Sequence, residues 1–229
     1  MRWKLIVLLQ WKWKIQLDNM VCEYIVGENQ HKKYVFLIDE GSAMRDKHIR
    51  FCVERNAALV VEILVVHADV HVNIDCILQG EGADARIVGA YIGSASHRIQ
   101  ITSFQHHQVP HTSSVLVMRG ALYGSAQAQY HGTIRVDKKA CGTNASQENK
   151  NMLLSNNARA LSVPNLEVLT NDVKCFHASA IGRFDDEQLF YAASRGIDEK
   201  TAQQLLLNAF FADLFVSDEL REKLSEIIG

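Results

Sequence analysis

The chain has 229 residues, enough for one substantial core or one core with a small appended domain. Lys and Arg number 24 against 26 Asp and Glu, a formal net charge of -2, so no global positive field points to nucleic acid. No window holds the roughly 18 to 20 consecutive apolar residues of a bilayer-spanning helix, and five widely spaced cysteines without a CxxC pair fit neither a disulfide framework nor a zinc ribbon. A soluble cytosolic chain with reduced thiols is expected.

The opening MRWKLIVLLQWKWKIQL has a basic start, but LIVLL is too short for a signal-peptide core, and Trp-Lys alternation follows where a cleavage site would stand. It reads as strand. From Trp3 to about Val173 the dominant signal is short period-two alternation, with Val70, Val72 and Ile74 on one face and His71, Asn73 and Asp75 on the other. Similar runs recur as ALVVEILVV, ARIVGAYIG, HRIQITSF, SSVLVMRGAL and AQYHGTIRV, separated by turn material such as QGEGAD and GSAS. A β-sandwich and a parallel β-helix both produce this pattern, and periodicity leaves the two open. Only Pro110 and Pro164 interrupt the chain and no Ser/Gly-rich run does, so the parts are packed together without a flexible linker.

After Gly182 the helical period takes over. Asp185 is placed to cap a first helix with Gln188 in a capping-box position, and Gly196 ends it. Asp198 opens a second helix through TAQQLLLNAFFADLF, whose Leu205, Leu206, Ala209, Phe210 and Phe211 bury more than one side. Ser217 or Asp218 caps a third, ELREKLSEII. Residues 1–182 therefore form a strand body and residues 183–229 a small helical region.

Three sets of side chains invite chemistry. His67 and His71 lie four apart, on one face of a strand, but without a third ligand. His106, His107 and His111 form a denser group around Pro110; no HExxH pattern accompanies them, and Thr112, Ser113 and Ser114 suggest a hydrogen-bonded turn. They are weak metal candidates. Cys175 and His177, two apart, share one strand face, where a thiolate and an imidazole can share an iron or the imidazole can lower the thiol pKa. The plainer reading is a buried cysteine beside a hydrogen-bonded histidine. No GxxxxGK[ST], GxGxxG or GxSxG occurs, so no local signature for nucleotide hydrolysis, dinucleotide binding or serine hydrolysis is present. Asp185 and Asp186, an acidic pair at a helix start, are explained by capping and the helix dipole.

Taken in order, HHQVPHTSS, YHGTIRVDKKA, SQENKNMLLSNNARALSVPNLEV, NDVKCFHASAIG and DEQLFYAASRGI resemble the core pattern of the SufB/SufD family of iron-sulfur cluster assembly proteins, over about residues 104 to 215. The resemblance implies a right-handed parallel β-helix followed by C-terminal helices, and so decides between solenoid and sandwich. It further implies a non-enzymatic scaffold subunit in the cytoplasm, without nucleic acid or membrane partners. A SufC-like ATPase would dock on the helical region around Leu205, Leu206, Phe210 and Phe211. A SufB-like subunit or a second copy would pair through the β-helix.

Lys174-Cys175-Phe176-His177-Ala178 is similar to the SufD branch, whose pattern is close to Lys-Cys-Ser-His-Gly, whereas SufB-type members usually carry Glu on both sides of the histidine. On that resemblance His177 is the residue at the subunit interface, with Cys175 beside it, and no cofactor is held stably by the chain alone; a transient iron-sulfur cluster forms in the complex. Two departures from the pattern stand out. The sequence enters strand material almost at once, as a compact or truncated version of the family would. Ala178 also replaces a glycine, a change costing around 1 kcal/mol if that position needs φ > 0. Two other readings remain open: a self-sufficient homodimeric scaffold using Cys175, His177 and Cys141, and a β-helical metal-binding module or enzyme built on His106, His107 and His111.

Overall fold

The computed structural model describes residues 4–10, 21–39 and 46–229. Strands β1 (Lys4–Gln10), β3 (His31–Ile38), β5 (Ala58–Val66), β7 (Asp84–Gly93), β9 (Ser113–Leu122), β11 (Thr143–Leu153) and β13 (Val173–Gly182) stack in that order into one sheet. A second sheet stacks β2 (Val21–Val26), β4 (Asp46–Val53), β6 (Val70–Leu78), β8 (Arg98–His107), β10 (Gln127–Val136) and β12 (Arg159–Val168). Each strand from β1 to β11 pairs in parallel with the strand two further along the chain. Alternate strands therefore belong to opposite walls, and the chain winds as a parallel β-solenoid around a lumen. The expected strand at the N-terminus is met at Lys4–Gln10; the Trp-Lys stretch after it lies outside the described residues.

One corner of each coil is set by a residue in the left-handed region. Asn29, Asn56, Gly82, His111 and Gly142 take φ between 50° and 74°, where Asn and Gly pay least. Their amides link the coils: Asn29 N donates to Arg55 O at 2.9 Å, Asn56 N to Glu81 O at 2.9 Å, Gly82 N to His111 O at 3.2 Å and His111 N to Cys141 O at 2.8 Å. Four of these five corners are Asn or Gly, a recurring signal in the sequence, and His111 is the exception. His67 is also a left-handed corner, φ 45°, and lies outside β5 and β6. It does not share a strand face with His71, as the spacing had suggested.

The two walls differ outside the lumen. Val61 to Val66 of β5 are all buried, because helices cover that sheet's outer surface; β6 alternates buried and half-buried residues, because its outer surface is bare. This is why ALVVEILVV reads as a continuous apolar run and VHVNIDCIL as an alternating one. The covering comes from α2 (Glu199–Phe211) and α3 (Asp218–Ile228), whose Leu207, Phe211, Leu220, Leu224 and Ile228 pack with Leu64, Val66, Val88 and Ile92. Helix α1 (Asp186–Ser194) contributes no buried residue. Asp185 caps α1 by accepting from Glu187 N at 2.9 Å, Asp198 caps α2 by accepting from Thr201 N at 3.0 Å, and Gly196 supplies φ 82° just past α1.

A fully buried carboxylate clamps the helices to the solenoid. Glu62 on β5 takes Lys33 Nζ at 3.0 Å, Val216 N at 2.9 Å, Ser217 N at 3.1 Å and the Ser217 hydroxyl. Burial works against its charge, but the bonds from Ser217, Lys33 and Val216 outweigh it and hold the carboxyl below its ordinary range. Ser217 is the residue preceding α3, and its hydroxyl is spent on Glu62 instead of on capping that helix.

Candidate functional site at the open end of the solenoid

β12 and β13 form the last coil and the edges of their sheets. Register aligns Val173, Cys175, His177, Ser179 and Ile181 with Thr143, Ala145, Gln147, Asn149 and Asn151 of β11, all five of which are buried. Side chains in register on neighbouring parallel strands share a face, so Cys175 and His177 face the lumen side together, as their spacing predicts. Cys175 packs against the cluster of Ile134, Val136, Ala140 and Ala145, and burial pushes its thiol pKa up. His177 is exposed, because among the described residues no further coil covers its row.

Around this pair the coil leaves apolar surface in water. Leu161, Leu166, Val168, Leu169, Phe176 and Ile181 are all exposed, and Phe176 is 60% so. An edge strand with a free ladder of N–H and C=O groups and exposed apolar side chains is a ready template for another strand. Ala178 sits inside β13 and is not among the residues with positive φ, so the expected backbone strain beside His177 is not present.

The three clustered histidines diverge. His106 lies on the bare outer surface, its Nε2 3.1 Å from Asp137 Oδ2. Burial raises the Asp137 pKa, and the contacts with His106 and Arg135 outweigh it, so the net shift is downward. His107 faces the lumen, with Nδ1 2.7 Å from Thr112 Oγ1 and Nε2 2.8 Å from Ser114 Oγ. Burial, helped by His106, lowers its pKa to about 4. His111 is the exposed corner residue at φ 55°. Among the described residues no three His, Cys, Asp or Glu side chains converge on a metal position. Cys141 stands in the turn between β10 and β11, where its carbonyl accepts from His111 N.

At the helical end, Phe211 is buried against the solenoid, and Phe210 lies over it at 4.9 Å with the Arg119 guanidinium 5.8 Å from its ring. Leu205 is exposed and Leu206 half-buried, both lining a groove of about 490 Å³ between α1 and α2 with Tyr191 and Ala202. Phe190, 77% exposed, and Tyr191 extend this apolar strip. Sequence periodicity places Phe190 with Leu189 and Ala193 in an apolar stripe of the first helix, but α1 has no buried residue and Phe190 stands in water; Tyr191 was not singled out. No helix among the described residues is long and apolar enough to cross a membrane.

The molecule is thus a parallel β-solenoid with a helical buttress on one wall and a terminal coil, carrying a thiol and an imidazole, whose outer edge pairs with no strand among the described residues. The chain belongs to the SUF-system iron-sulfur cluster assembly family: the SufBD core domain matches residues 7–210. It is similar to an iron-sulfur cluster assembly SufBD family protein of Mycobacterium leprae, 37% identical over 68% of this chain and 42% of the relative. Iron-sulfur cluster assembly protein SufD of Escherichia coli is 32% identical over 64% of this chain and 34% of its own length. SufB of Bacillus subtilis is 27% identical over 59% of this chain and 29% of its own length. The chain therefore spans well under half of the curated relatives it matches.

Proposed function

We propose that this chain acts as a SufD-like, non-catalytic scaffold subunit in a cytoplasmic complex that builds iron-sulfur clusters. One observation carries the reading: the terminal coil presents Cys175 and His177 on the lumen side of an uncovered, apolar-rimmed solenoid end. A second solenoid end, from a SufB-like subunit, covers that coil and pairs with β12 or β13. His177 and Cys175 then lie at the seam, where iron and sulfur are substrates and the cluster is the product handed on. Lys174 and Ala178 frame the cysteine-histidine stretch without the flanking acids of SufB-type members, which supports the SufD-like branch. Cys175, with its raised thiol pKa, is the weaker nucleophile until a partner's charge reaches it.

A SufC-like ATPase docks on the strip of Phe190, Tyr191, Leu205 and Leu206, while Phe210 and Phe211 anchor that strip to the solenoid. Movement of the ATPase subunits is passed through α2, α3 and the Glu62 clamp to the sheet that ends in β13. The test is co-expression of the tagged chain with SufB-like and SufC-like proteins, followed by native mass measurement. One copy of this chain with both partners is the expected composition; a homodimer, or the chain with the ATPase alone, rejects the SufD-like role and makes the chain its own scaffold. Within the expected complex His177→Ala leaves assembly intact and lowers cluster yield, and an undiminished yield removes His177 from the site.

A further inference from the structure

The last coils carry more polar chemistry inside than the scaffold reading uses. Gln147 on β11 is 0% exposed, and neither its Oε1 nor its Nε2 has a protein partner. Gln105 Oε1 and Ser162 Oγ are likewise buried and unpartnered. Opposite Gln147 stands Gly132, where a Cβ would come within 2.1 Å of Gln147 Nε2 and 2.5 Å of the Tyr130 hydroxyl. A side chain there would displace the amide. Along its own sheet Gln147 lies in register between Leu116 and His177.

A carboxamide taken out of water without partners loses hydrogen bonds on both atoms, and an apolar residue of similar size would avoid that loss. The lining decides what the amide holds. Ser103, Gln105, Tyr130, Asn149 and Asn151 are neutral, and His107 stays uncharged down to about pH 4. A bare cation or anion would enter with no opposite charge to offset its desolvation. A small neutral molecule that both donates and accepts matches an amide, a hydroxyl and a carbonyl oxygen together, and water does so with two to four partners.

We propose that this end of the lumen is an internal water site seated on Gln147, and that its water reaches the row of His177, next to it in register, and supplies the imidazole with a hydrogen-bond partner on the lumen side. Gln147 is thereby a positioning residue for His177. The role toward His177 rests on the scaffold reading, whereas the water site does not.

The test uses the whole chain without partners: a high-resolution crystal structure, thermal melting, and the imidazole nitrogen shifts of His177 in the parent, Gln147→Leu and Gln147→Asn. Water within hydrogen-bond distance of both Gln147 atoms is expected. Gln147→Leu should melt below the parent and move the His177 shifts, and Gln147→Asn, which keeps an amide, should return them part of the way. A dry lumen, or a Gln147→Leu chain that melts above the parent because it sheds an unsatisfied amide, overturns the water site. Ordered water with unmoved His177 shifts overturns the positioning role. If Gln147→Leu fails to fold, the parent structure and Gln147→Asn still decide. None of these readings involves cluster assembly, so a chain that proves not to be a SufD-like subunit leaves the water site standing.

Discussion

The two ends of one lumen are filled in opposite ways. Toward the N-terminus, Tyr24, Tyr34, Phe36 and Phe51 interlock with ring centroids 4.8 to 6.5 Å apart, backed by Leu59, Val61, Val72 and Ile74. Toward the C-terminus the filling is a hydrogen-bonded net: Tyr91 donates to Asn151 Oδ1 at 2.6 Å and accepts from Asn149 Nδ2 at 2.9 Å, Asn151 donates to Asn149 Oδ1 at 2.8 Å, and Ser103 and Tyr130 share a bond of 2.8 Å. Both ends have the same parallel backbone. Each strand's amides are satisfied by the coils above and below, so the backbone does not dictate what fills the interior. The apolar end supplies burial free energy; the polar end, where Cys175 and His177 emerge, supplies oriented donors and acceptors.

The sharpest way to break this comparison is to open the aromatic end. Phe51→Ala should lower unfolding free energy by about 3–5 kcal/mol in a denaturant titration, since the ring is fully enclosed and its neighbours are held by the coils. Acid should act on the other end. His107 has a folded pKa of about 4 against an ordinary 6.5. The unfolded chain therefore binds the extra proton first, and stability present above pH 6.5 is lost as pH falls toward 4, by on the order of 3 kcal/mol. Urea titrations at pH 7.5 and pH 5 should show the loss, and His107→Gln should reduce it. Asn149→Leu leaves the Tyr91 hydroxyl and the Asn151 side chain short of a partner and should cost about 1–3 kcal/mol by the same titration. A smaller loss than from an equivalent change at the aromatic end would mean that the net is adaptable. Phe190→Ala on α1, outside both ends, should change stability by no more than about 0.5 kcal/mol while weakening retention of a SufC-like ATPase on the tagged chain.

Much of the polar end was visible as residue types without their positions. HHQVPHTSS shows three histidines and three hydroxyl residues, but whether His106 and His107 point apart depends only on strand alternation, and His111 is set apart by a corner that period-two reasoning does not locate. Gln147 looked like one polar residue among many in SQENKNM. Its meaning comes from Gly132, which lies on the opposite wall.

By itself the sequence determined that strands give way to helices near Gly182, that Cys175 and His177 share a face, and that Asp185 and Asp198 begin helices. These follow from local periodicity and from side chains bonding to backbone amides two or three residues away. Only the tertiary structure decided which strand faces are lumen, that Phe210 and Phe211 anchor the helices while Phe190 and Tyr191 stay exposed, that Glu62 clamps the helical region, and that a glycine and a glutamine meet across the lumen. Those outcomes depend on coils stacking side chains from distant parts of the chain into one row, and on which wall the helices happen to cover. Local sequence pattern carries no record of the first, and of the second only the contrast between the continuous apolar run of β5 and the alternation of β6.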